Sequence, residues 1–195
     1  HATEDIAIMR ALPNMKILCP ADAAATEALT KIAADTHGPC YLRLSRDVYP
    51  DLYPADATFE VGHGNIVRSG TDVTVIACGI LVHKALEAAK ALEADGISVQ
   101  VVDMYSIKPL DEALVLACAA KTGAIVTAEE HNVIGGLGGA VAECLVKAGS
   151  GVPVEMVGVQ DTFTESGPYT KLLEKYALDG AAVAAAIRRA VERKK

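Results

Sequence analysis

From about residue 65 onward, short β-branched apolar runs alternate regularly with stretches of helical spacing, and this pattern constrains the fold more than any other feature. Strands are predicted at Asn65 to Val67, Val73 to Ala77, Ser98 to Met104, Ala124 to Ala128 and Val154 to Val159. Between and after them lie predicted helices at Leu81 to Ala94, from Pro109-Leu110-Asp111 through Ala120, from the Gly135 to Gly139 run through Lys147, at Tyr169 to Tyr176, and at Ala181 to Arg193. Gly96 is a left-handed helix stop. Strands too apolar to face water on either side, separated by helices of ten or more residues, require an α/β fold with a mostly parallel sheet and helices on both faces.

The first third reads differently. Thr3 to Leu12 has helical spacing with Glu4 and Asp5 in its first turn, and Pro13 stops it. A short strand, Lys16 to Cys19, is followed by an alanine-rich helix capped by Asp22 and running to about Asp35. The turn His37-Gly38-Pro39 then leads to a strand at Cys40 to Ser45. Periodicity fades from Arg46 to about Gly62, where Pro50, Pro54 and several aspartates mark a connection between domains. This divides the chain at residue 58, into a partial α/β domain over 1–58 and a complete one over 59–195.

Composition narrows the function. A net charge of −7 excludes a broad phosphate-backbone surface and hence nucleic acid as a partner. No run of some 18 apolar residues is present, so no membrane span is expected. Cys19, Cys40, Cys78, Cys118 and Cys144 are odd in number, scattered and without zinc-ligand spacing, as expected of buried thiols in a reducing, cytoplasmic setting. The chain starts at His1, already entering a helix, so an upstream portion is expected to have been removed or to lie on another polypeptide.

In an open α/β sheet, ligands bind beyond the carboxyl ends of the strands. Three segments occupy such positions. Ser45-Arg46 offers a hydroxyl beside a guanidinium fork suited to phosphate or carboxylate, although position alone favours a surface arginine paired to Asp47. Glu129-Glu130-His131-Asn132 could perform acid–base chemistry if desolvated, but reads more simply as a solvated loop or a subunit contact. The run Gly135-Gly136-Leu137-Gly138-Gly139 completes neither a dinucleotide fingerprint nor a P-loop, and tight backbone packing accounts for it better. No metal-ligand spacing joins the histidines, and no activated serine or cysteine nucleophile is evident.

Several stretches, in order and at matching spacing, resemble the transketolase family. H-A-T-E-D-I-A-I-M-R-A-L-P-N-M, P-A-D-A-A-A-T-E-A and G-P-C-Y-L-R-L-S-R-D are similar to the end of its pyrimidine-binding domain. V-T-V-I-A-C-G, V-V-D-M-Y-S-I-K-P-L-D, T-A-E-E-H, I-G-G-L-G-G-A-V-A-E and D-T-F-T-E-S-G are similar to its C-terminal domain. The resemblance implies a transfer of two-carbon ketol units between sugar phosphates, with thiamin diphosphate and Mg2+ in the complete enzyme. It puts Arg46, with Ser45 beside it, where the family binds a sugar phosphate's phosphate. The first helix aligns best with the family's substrate-binding histidine immediately before His1, making His1 its neighbour and a candidate substrate contact.

The family's Gly-Asp-Gly diphosphate motif and its pyrimidine-ring residues are absent from this sequence. No cofactor contact or catalytic residue is therefore expected in this chain. By the same resemblance the chain needs an N-terminal transketolase portion or subunit, dimerises, and is inactive alone. Related alternatives are a 1-deoxyxylulose-5-phosphate synthase, a 2-oxoacid dehydrogenase β subunit, or a non-catalytic dimerisation module.

Overall fold

The computed structural model describes residues 2–194, so His1 lies outside the described residues. Asp5–Ala11 forms α1, followed by β1 (Lys16–Leu18), α2 (Ala23–Asp35) and β2 (Cys40–Leu42). Asp22 caps α2 by accepting the Ala25 N–H at 2.7 Å, as its position in the sequence predicts. The predicted strand from Cys40 to Ser45 ends three residues early. Arg43 still donates its N–H to the Leu18 carbonyl, after which the chain leaves the sheet.

Downstream come β3 (Asn65–Arg68), β4 (Val73–Ala77), α3 (Ile80–Leu92), β5 (Val99–Asp103), β6 (Ser106–Lys108), α4 (Glu112–Thr122), β7 (Ile125–Asn132), α5 (Leu137–Lys147), β8 (Val154–Val159), α6 (Tyr169–Lys175) and α7 (Gly180–Arg193). Five strands form one sheet in the order β3-β5-β4-β7-β8, parallel except for the antiparallel β3 edge. Gly96 takes φ +71° where α3 and its short 3-10 extension end, as expected of a left-handed stop.

Alternation along the strands sends side chains to opposite faces. Val73, Val75 and Ala77 of β4 join one core with α3 and α7, whereas Ile76 joins the other with α1, α4 and α5. Both faces of the sheet are covered, the fold expected from the sequence pattern.

Two departures matter for the site. Residues 106–108, which the sequence pattern left unassigned, form β6 and pair antiparallel with β1, extending a three-stranded sheet of order β2-β1-β6. The chain's first third therefore shares a sheet with its downstream part; a three-residue strand is too short to reveal itself by periodicity. The connection from 43 to 64 contains no helix or strand, yet it is tightly tied down. Leu52 and Tyr53 donate their backbone N–H groups to Asp22 Oδ2 at 2.8 and 2.7 Å. Phe59 packs edge-on against both Tyr53 and Tyr105, with ring centroids 4.9 and 5.1 Å apart.

Candidate functional site

The carboxyl ends of β2 and β7 converge on the first turn of α1. Asn132 donates its N–H to the Thr3 carbonyl at 2.7 Å, and the Ala7 N–H donates to His131 Nε2 at 3.3 Å. Arg43 completes the junction: Nε donates to Asp5 Oδ2, and Nη2 to the carbonyls of Glu130 and Ala2, at 2.9, 2.9 and 3.2 Å. A fixed guanidinium fork thus binds three segments that are distant in sequence. Burial works against ionisation of Asp5, but Arg43 and the Tyr41 hydroxyl outweigh it and hold the carboxyl below its usual range. Tyr41 is correspondingly pushed up to about 12, by burial and by Asp5.

Glu129 and His131 lie in β7, not in a solvated loop. They are 1% and 0% exposed, which corrects the simpler of the two sequence readings. The strand runs four residues past its expected end. The cost of burying Glu129 is offset by the N–H groups of Leu137 and Gly138, which it accepts at 2.7 and 2.8 Å, capping α5 from outside the helix. Burial raises its carboxyl above the usual range, and those two donors oppose the rise. Because His131 Nε2 accepts from Ala7, Nδ1 carries the proton and donates to the Asn132 carbonyl at 2.6 Å. Both side chains are thereby enclosed and engaged, which leaves them no reacting group to reach.

The glycine run makes this closure possible. A Cβ on Gly136 would fall 2.0 Å from Glu129 Oε2, and one on Gly138 would fall 2.9 Å from Thr127 Oγ1. Close backbone packing, the sequence reading favoured for these glycines, is what they provide. Arg10 reinforces the turn by donating to the Gly135 carbonyl at 2.7 Å and pairing with Glu143.

Ser45 and Arg46 face the opposite situation. They line a cavity of about 910 Å³ between the first third and the C-terminal part of the chain, whose walls include Arg43, Glu130, Ser166 and Tyr169. Arg46 is exposed, and the expected pairing with Asp47 is not formed; Asp47 instead donates its backbone N–H to Ser45 Oγ at 3.1 Å. Its guanidinium makes no ion pair with any described carboxylate. His1, the third candidate, lies outside the described residues.

Sequence reasoning missed Arg43, Glu130 and Tyr169. Arg43 carries a signal: a charge between apolar neighbours at the end of a strand must find partners on folding. Glu130 could have been separated from Glu129 and His131 by strand alternation, since it points to the opposite face, but only if β7 had been extended through it. Tyr169 reaches the cavity from the start of α6 and has no local sequence signal.

The geometry agrees with what comparison shows. Residues 62–183 match the family description "Transketolase, C-terminal domain", and residues 1–51 match "Transketolase, pyrimidine binding domain". The chain belongs to the transketolase family. It is similar to a putative transketolase C-terminal section from Methanocaldococcus jannaschii, at 42% identity over 93% of this chain and 57% of the relative. It is also similar to one of the subunits of an apulose-4-phosphate transketolase from Phocaeicola vulgatus, at 39% identity over 92% of this chain and 57% of the relative. A solved structure described as a split gene transketolase, inactive beta4 tetramer, superposes with a TM-score of 0.96 at 52% identity, covering all of this chain and 64% of the other. The chain thus spans a little over half the length of these relatives.

Proposed function

We propose that this chain is the carboxyl-terminal part of a thiamin-diphosphate-dependent transketolase, which moves a two-carbon ketol unit from a ketose phosphate to an aldose phosphate once joined by an N-terminal portion. In this reading residues 1–58 complete a pyrimidine-binding domain and residues 59–195 form the C-terminal domain. The observation that carries the reading is an exposed, unpaired Arg46 beside Ser45 at the rim of a large polar cavity. A cation held there without a carboxylate partner suits a phosphate. Family membership supports the same chemistry, and the name of one relative indicates a sugar-phosphate substrate.

Thiamin diphosphate supplies the carbanion chemistry when bound in the complete enzyme. Among the described residues no group of three or more His, Cys, Asp and Glu side chains is placed to hold a metal ion. The residues present therefore do not fit a magnesium diphosphate site, and the reading assigns that site to the upstream portion; no step is routed through it here. What this chain contributes is orientation: Arg46 binds the distal phosphate with equal strength throughout the reaction. The reading also takes the enzyme to be cytoplasmic and dimeric; among the described residues no helix is long and apolar enough to cross a membrane.

A second reading, that the chain serves association alone, draws support from the related structure described as an inactive beta4 tetramer. The two are separated by Arg46→Ala in the complete enzyme. Loss of a charged hydrogen bond of about 1.5–3 kcal/mol raises KM for the phosphorylated sugar by roughly ten- to a hundredfold while kcat stays unchanged. An unchanged KM rejects the phosphate-binding role.

A further inference from the structure

Within that cavity one wall carries polar groups whose hydrogen-bonding needs the described residues leave unmet. The Tyr169 hydroxyl is buried and makes no hydrogen bond of proper geometry to any described residue, although Glu130 and Tyr49 stand near it, and Asp5 Oδ1 is likewise unpartnered. A hydroxyl withdrawn from bulk water without a partner is costly, and native structures seldom keep one unless water or a ligand completes it. Tyr169, Glu130 and Ser166 line the same cavity as Ser45 and Arg46. Burial, with Glu130 and Tyr49 close by, pushes the Tyr169 hydroxyl above its usual range, so it remains a donor at neutral pH. Burial likewise raises the Glu130 carboxyl, against the pull of Arg43.

The cavity is therefore divided by chemistry. At one side stands an exposed guanidinium with a serine hydroxyl, and at the other a phenol, a carboxyl and a second serine hydroxyl. The volume, about 910 Å³, lies within the range of small-molecule sites. We propose that Tyr169, supported by Glu130, is a specificity-determining residue that hydrogen-bonds the hydroxylated carbons of a sugar phosphate whose phosphate rests on Arg46. The inference deepens the transketolase reading and rests on it for the substrate class. It gives the C-terminal domain a direct contact with substrate, which an association module would not have.

The test is Tyr169→Phe, which removes only the hydroxyl. It is made in this chain joined with its upstream portion and read in two ways: saturable binding of fructose 6-phosphate by calorimetry, with inorganic phosphate as a second probe, and the kinetics of ketol transfer. Binding of fructose 6-phosphate weakens and KM rises by about five- to tenfold, with kcat within twofold and inorganic phosphate binding unaffected, as loss of one hydrogen bond to the sugar requires. Wild-type affinity for fructose 6-phosphate in Tyr169→Phe overturns the proposal and shows that water alone completes the hydroxyl. Absence of saturable fructose 6-phosphate binding to the unsubstituted protein overturns it as well. Absence of ketol transfer with that binding intact and sensitive to Tyr169→Phe rejects the transketolase reading while upholding the contact.

Discussion

Two strand ends in this molecule carry charged residues, and they have opposite fates. At the end of β7, Glu129 and His131 are enclosed, and the contacts they make to Leu137 and Gly138 of α5 and to Ala7 of α1 hold those elements in place. Beyond the end of β2, Arg46 is exposed and pairs with no described carboxylate, although Asp47 is its neighbour. A carboxylate and a histidine at a sheet's carboxyl edge suggest acid–base chemistry, and a lone surface arginine suggests nothing. Hydrogen-bond accounting reverses that order, because groups already satisfied by the fold have no capacity left for a ligand.

The largest expected effect breaks the β7 side of the comparison. Glu129→Ala leaves two buried N–H groups at the α5 N-terminus without acceptors and opens a cavity, so the chain loses about 3–5 kcal/mol of stability in denaturant unfolding. A loss below about 1 kcal/mol would show that the end of β7 is not the anchor described here.

A third strand end sharpens the contrast by being only half satisfied. Asp103, at the end of β5, is fully buried; Oδ2 accepts the Tyr53 hydroxyl at 2.9 Å while Oδ1 has no partner among the described residues. Burial, reinforced by Asp22 and opposed by Tyr53, raises its carboxyl to about 7 from a usual 3.8. The folded chain then keeps a proton up to about pH 7 that the unfolded chain releases near pH 4. Stability contributed by this group is present below about pH 4 and is lost as pH rises towards 7, by on the order of 4 kcal/mol. Unfolding measured across that range should show a weaker decline for Asp103→Asn than for the unsubstituted chain. Parallel profiles would mean that Asp103 ionises normally.

The smallest expected effect on stability is at Arg46. Arg46→Ala shifts unfolding by less than about 0.5 kcal/mol, because nothing in the described fold depends on its side chain. A substantially larger loss would place Arg46 with Glu129 among the structural groups and remove the contrast.

Much of this was legible in the residues. Continuous apolar strands and capped helices disclosed the covered parallel sheet, and the position of Ser45-Arg46 after a strand marked them as candidates. The burial of Glu129 and His131 was not legible, because it depends on Gly136 letting α5 approach β7 and on α1 docking from a distant part of the sequence. Strand β6 and Tyr169 were hidden for a related reason. Their roles come from tertiary pairing, which leaves no period in the local sequence.

The most direct measurement is ketol transfer from a ketose phosphate to an aldose phosphate by this chain joined with its upstream portion, thiamin diphosphate and magnesium, set against the chain alone. The account predicts transfer in the joined sample and none in the chain by itself. A folded, cofactor-bound assembly that transfers no ketol unit, and instead condenses pyruvate with glyceraldehyde phosphate, would contradict it.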